Sequence, residues 1–165
     1  MTNIRRYHHE SYVYFVTNVK YQRQPILQEH VDLLLKSIDK HAIATSSDLI
    51  AWVILPDHFH LLIQPPDVNI SLLMRRIKLS FSSKYRQIEG MQSGRLWQYR
   101  FRDHVIRNQE DMNKHIDYIH RNPIKHGLVS RPFDYPHSSI HLYRESYPDD
   151  WGVEDENEKH FDFGE

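Results

Sequence analysis

The chain has 165 residues, with 21 Lys and Arg, 22 Asp and Glu and no cysteine. That length suits one domain with a core of its own. The lack of cysteine excludes disulfides, thiolate zinc sites and cysteine nucleophiles, so any metal would be held by nitrogen and oxygen.

The near-neutral total hides a split. Residues 145–165 hold nine carboxylates against Lys159, giving −8, which leaves 20 basic against 13 acidic side chains in residues 1–144, or +7. The expected division is therefore a folded body over 1–144 and an acidic C-terminal tail over 145–165. A basic body suits a polyanion, because Lys and Arg release counterions from phosphates. The ordinary alternative for the tail is a solubilising extension. The opening MTNIRRYHHESYVYFV lacks the apolar region of a signal peptide, and no run reaches the length of a membrane span, which predicts a cytoplasmic protein with no membrane partner.

In chain order, SYVYFVTNV (11–19) is β-branched and aromatic and predicts a strand. In residues 28–44, Val31, Leu34, Leu35, Ile38 and Ala42 recur at helical spacing. DLIAWVILP (48–56) and HFHLLIQ (58–64) flank Pro56-Asp57 and predict a hairpin. Asn69 is a candidate N-cap for a helix with Leu72, Leu73, Ile77 and Phe81 on one side and Arg75, Arg76, Lys78, Lys84 and Arg86 on the other. A strand follows around 103–107, then a helix from Asn108 to a Gly127 terminator, and the proline-rich remainder predicts irregular structure. The order β-α-β-β-α-β is that of a ferredoxin-like antiparallel sheet in an α+β fold, with its helices on one face. A last helix must then lie against that sheet.

Two segments carry chemistry. In LPDHFHLLIQPP, His58 and His60 share one strand face while Phe59 points to the other. Two imidazoles so placed can converge on a divalent cation, although a pair of histidines on a wet sheet face is the ordinary alternative. In HIDYIHRNPIKHG, Tyr118 and Asn122 stack one turn apart on a helix: a phenol beside an amide ligand, or simply packing residues. Pro123 disfavours helical geometry at Asn122, which predicts a kink or an end there. Cysteine-dependent deaminases and HExxH zincins are excluded, and a histidine triad would need a third alternating histidine where Leu62 stands. A mononuclear site of His58, His60 and Asn122 beside Tyr118 survives.

These segments, AWVILPDHFHLLIQPP and LWQYRFRDHVIRNQEDMNKHIDYIHRNPIKHGLV, together with IRRYHHESYVYFVTNV, resemble the REP-associated tyrosine transposases of the single-tyrosine HUH superfamily over roughly residues 4–142. The resemblance implies a ferredoxin-like nuclease that cuts single-stranded DNA through a 5′-phosphotyrosine, with Tyr118 as nucleophile. It implies Mg²⁺ or Mn²⁺ on His58, His60 and Asn122, and hairpin-forming repetitive extragenic DNA as target. Arg5, Arg6, Arg75, Arg76, Lys78, Arg100 and Arg102 are the candidate DNA-binding residues, with Trp97, Tyr99 and Phe101 as stacking or core aromatics. Monomer and homodimer both remain open. A non-cleaving hairpin-binding regulator on the same fold, and a metal phosphodiesterase that uses water, are the competing readings. The charge split also predicts that the tail covers the basic surface and restrains activity.

Overall fold

The computed structural model describes residues 11–66, 68–153 and 163. Its elements follow the predicted order: β1 (Tyr14–Val19), α1 (Val31–Ala44), β2 (Asp48–Ile54), β3 (His58–Gln64), α2 (Ile70–Glu89), β4 (Arg102–Val105) and α3 (Gln109–Lys125). Short 3₁₀ turns at Pro132–Asp134 and Ser139–Ser146 follow α3. The four strands form one antiparallel sheet in the order β2-β3-β1-β4. Both β2 and β4 are therefore edges.

Alternation along β3 divides the molecule into two layers. Phe59, Leu61 and Ile63 join Val16, Ile54 and the apolar stripes of α1 and α2, including Leu34, Ile38, Leu73, Ile77 and Phe81, in the larger core. Each fully buried side chain of this size contributes roughly 1.5–3 kcal/mol of transfer free energy. Leu62 joins Phe15, Ala51, Val53, Tyr118 and Ile119 in a second cluster beneath α3. The two first helices share one face, as expected, and α3 covers the opposite one.

The helix ends follow local chemistry. The Asn69 side chain accepts from the Ser71 N–H at 2.8 Å and starts α2, which Gly90 closes in the left-handed region at φ 66°. The Asn108 side chain accepts from the Asp111 N–H at 2.9 Å and starts α3. The helix does not end at Asn122, and α3 runs through Pro123 to Lys125. Burial of both Asn122 and Pro123 holds the backbone helical, and the proline lies so near the C-terminus that its missing N–H costs one bond of the last turn. The His126 N–H donates to the Asn122 carbonyl at 3.1 Å, and the Leu128 N–H donates to the Pro123 carbonyl at 2.9 Å. Among the described residues, no helix is long and apolar enough to cross a membrane.

Candidate active site

His58 and His60 lie on the face of β3 that α3 covers, and they are 1% and 0% exposed. The wet-face alternative is thereby removed. Their rings stand edge to face with centroids 5.1 Å apart. His58 Nδ1–H donates to Asp57 Oδ1 at 2.6 Å, and Arg23 Nη1 donates to the other Asp57 oxygen at 3.2 Å. Burial disfavours the Asp57 carboxylate, but the hydrogen bond and charge of His58, followed by those of Arg23, hold its carboxyl below the usual range. His60 Nδ1 and Thr17 Oγ1 share a 2.8 Å hydrogen bond across the register pair of β1 and β3. With each Nδ1 engaged by an orienting neighbour, Nε2 is the nitrogen that either ring offers as a ligand.

Tyr118 reaches His60 from α3. Its ring lies 5.6 Å from that of His60, and Phe15 is stacked on His60 at 5.3 Å while meeting Tyr118 edge-on at 5.8 Å. Asn122 is one turn further along the helix and 1% exposed. His58 Nε2, His60 Nε2 and Asn122 Oδ1 are all buried polar atoms. Two neutral imidazoles and an amide oxygen fit a small divalent cation of hard to borderline character. Of the expected set, His58, His60 and Tyr118 are linked ring to ring through His60, and Asn122 is buried one turn further along the same helix.

Two neighbours were absent from the sequence reading. Lys125 Nζ donates to the Tyr118 hydroxyl oxygen at 3.2 Å and lies 5.1 Å from the centre of its ring. The exposed His126 stands edge-on to His58 at 5.0 Å. Lys125 is seven residues after Tyr118, two turns on the same helix face, so spacing alone places it there. His120, near Tyr118 in sequence, points elsewhere: its Nε2 meets Ser139 Oγ at 2.8 Å and its Nδ1 meets Tyr147 Oη at 3.0 Å. Burial, and after it the charge of His141, pushes its pKa down to about 3, so it remains neutral in that network.

A second titratable cluster sits at the start of α3. His104, Asp111 and His115 place possible ligand atoms within 4.8 Å of one another, a combination with metal-binding chemistry. It is also knitted internally. Asp111 Oδ2 accepts from His104 Nε2 at 2.9 Å and from the Arg107 N–H at 3.0 Å, and the His115 ring stacks on that of His104 at 4.7 Å. Burial opposes ionisation of Asp111, but these hydrogen bonds and the charges of His104 and His115 bring its carboxyl down to about 2.

The basic candidates divide between the faces. Arg75, Lys78 and Arg100 line one cavity beside α2. Arg102 lies on β4 in register with Thr17, on the tyrosine side of the sheet, and the exposed Arg76 lies near His41 of α1. Arg5 and Arg6 lie outside the described residues.

A four-stranded antiparallel sheet with paired strand histidines and a helical tyrosine above them defines a protein class, and comparison with known proteins agrees. The IS200-like transposase family matches residues 7–122, and the chain belongs to that family of DNA-cleaving, strand-transferring enzymes. The REP-associated tyrosine transposase of Escherichia coli K12 is 35% identical over 92% of this chain and 91% of its own. A Haemophilus influenzae relative is 35% identical over 92% of this chain and 94% of its own. A REP-associated tyrosine transposase solved bound to a REP hairpin is 32% identical, superposes with a TM-score of 0.74, and covers 98% of this chain and 99% of that one.

Proposed function

We propose that this chain cuts and rejoins single-stranded DNA through a covalent tyrosine intermediate, acting at hairpin-forming repetitive extragenic sequences. The observation that supports the reading is the placing of Tyr118 on α3 with its ring 5.6 Å from that of His60, one of the two buried strand histidines. The hairpin target rests on the relative solved with a REP hairpin.

His58 Nε2, His60 Nε2 and Asn122 Oδ1 would hold Mg²⁺ or Mn²⁺. Such an ion, when bound, neutralises charge on the non-bridging oxygens of a phosphodiester and so favours attack by a nucleophile. Asp57 and Thr17 fix the two rings through Nδ1, which keeps Nε2 directed inward. Tyr118 Oη forms the new bond to phosphorus, the bond from phosphorus to the 3′-oxygen breaks, and the products are a 5′-phosphotyrosine and a 3′-hydroxyl. The ester bond is conserved, so the 3′-hydroxyl of another end can displace the tyrosine without a further energy source. As the phenol loses its proton on attack, and again as phenolate departs, the Lys125 ammonium at 3.2 Å stabilises the charge on Oη.

Incubation with a labelled hairpin oligonucleotide and Mn²⁺ should give an adduct that survives SDS and disappears in Tyr118→Phe. Cleavage that persists in Tyr118→Phe would replace this mechanism with hydrolysis by water. Tight hairpin binding with neither adduct nor cleavage would leave a binding protein. His58→Ala and His60→Ala should each abolish the adduct while the melting temperature stays within the folded range.

A further inference from the structure

On the far side of the sheet from Tyr118, α2 and the segment 95–103 border an open cavity of about 640 Å³. Five cations line it, Arg75, Lys78, Arg86, Arg95 and Arg100, against one carboxylate, Asp103. A space so charged favours an anion.

Its aromatic walls are arranged for a flat partner. Tyr99 is 85% exposed, and the Arg95 guanidinium lies 3.5 Å from its ring centre and 4.5 Å from that of Tyr21. One face of Tyr99 is thus backed by a stacked cation, and its exposure leaves area for a second ring. Trp97 is held rigidly, its indole N–H donating to Ser82 Oγ at 3.0 Å.

Two buried donors here have no hydrogen-bond partner among the described residues. Arg86 donates from Nη2 to the Gly94 carbonyl at 2.6 Å, while its Nε is buried with no hydrogen-bond partner. Behind Trp97 the ammonium of Lys20 is fully buried and also lacks a hydrogen-bond partner, lying over the rings of Trp97, Tyr85 and Phe81 at 4.7, 5.6 and 5.8 Å. Burial, and then the nearby charge of Arg86, lowers its pKa to about 8. An unpaired buried donor is costly, so Arg86, which lines the cavity, favours an incoming acceptor.

We propose that this cavity binds an unpaired nucleotide of a DNA single strand, its phosphate held by Arg75, Arg86 and Arg100 and its base stacked on Tyr99. A paired base could not present its face to Tyr99 without leaving the stack, so the site selects single-stranded over duplex DNA. The proposal rests on the single-strand reading above and adds a second contact, remote from the chemistry. Arg102 and Asp103 are neighbours on the edge strand β4, one toward the tyrosine face and one lining the cavity, so a strand can pass between the two sites around that edge.

The test uses full-length protein carrying Tyr118→Phe, so that binding is read without cleavage, and hairpins with 2-aminopurine at single positions. The expected result is fluorescence quenching at one position in a single-stranded flank and at none in the stem. Tyr99→Ala should abolish the quenching and weaken affinity about tenfold, and Tyr99→Phe should restore both. Arg75→Ala with Arg100→Ala should weaken binding and flatten its salt dependence. Quenching that survives Tyr99→Ala, or that appears equally in the stem, overturns the site, as does saturation by free mononucleotide at the same affinity as the strand. Cleavage is scored separately, with wild-type Tyr118. An adduct without Tyr99-dependent quenching removes this site alone, whereas quenching without any adduct supports the site and removes the cleavage reading.

Discussion

Lys125 and Lys20 place two ammonium groups in opposite settings. The first is exposed and bonded to the phenolic oxygen of Tyr118, where a positive charge acts directly on the proposed nucleophile. Lys125→Met should slow adduct formation about a hundredfold, the usual order for losing one charge-stabilising donor, with hairpin affinity nearly unchanged and Lys125→Arg recovering most of the rate. Equal loss of affinity and rate would assign Lys125 to DNA binding instead. The second is buried behind Trp97, with its pKa lowered from 10.5 to about 8. Between those values the unfolded chain binds more protons than the folded one, so this group makes stability rise with pH from about 8 through 10.5. Denaturant midpoints for wild type and Lys20→Met over that range should show the slope only in wild type. At this scale the two strand histidines were legible, because alternation fixes which side chains share a face. Lys125 was present in the quoted NPIKHG stretch and at helical spacing from Tyr118, yet a lysine on a helix is ordinarily a solvated charge. Only the placed phenol distinguishes it.

The strands and helices were legible from apolar periodicity, and helix ends from Asn69, Asn108 and Gly127. The passage of α3 through Pro123 was not, because a local preference yielded to burial of Asn122 and Pro123 against the sheet. The seating of α3 depends on its first turn, where His104 of β4 and the Arg107 N–H converge on Asp111. With its carboxyl held at about 2, Asp111 contributes stability that is full above its unfolded value near 3.8 and is lost as pH falls toward 2. Asp111→Asn should therefore flatten the acid limb of a stability curve between those values. Asp111→Ala should cost about 1–3 kcal/mol at neutral pH, from the donors left unpaired. An unchanged acid limb in Asp111→Asn would show that other carboxylates carry it. The rest of α3 is pinned from above, where Tyr147 donates to Asp117 at 3.0 Å and stacks on Trp151 at 3.9 Å.

Over the whole chain, the +7 body and −8 tail suggested a tail lying on the basic surface. Residues 154–162 and 164–165, on which that contact falls, lie outside the described residues. Phe163, which is described, stacks on His115 at 4.0 Å and meets Tyr118 edge-on at 4.9 Å, covering the tyrosine side of the sheet. Composition could show the charge of the tail but not which aromatic would land on which ring, since that contact joins residues 45 apart in the chain. Phe163→Ala, or truncation after Val153, should raise the rate of adduct formation severalfold at low salt, and the melting temperature should hold. Truncation after Arg144 should instead lower the melting temperature, because it removes Tyr147 and Trp151 from α3. An unchanged or reduced rate in the two milder variants would free the tail of any restraining role.

On the proposed mechanism, the division of the sheet into two differently equipped faces has a consequence for where DNA would be cut. The tyrosine stands on one side, the nucleotide cavity on the other, and packed layers lie about 10 Å apart. A strand held in the cavity must round β4 before it reaches Tyr118, and that path admits a set number of nucleotides. The edge of the sheet then acts as a ruler, and the distance from the held nucleotide to the scissile phosphate becomes a property of the protein rather than of the DNA sequence in between.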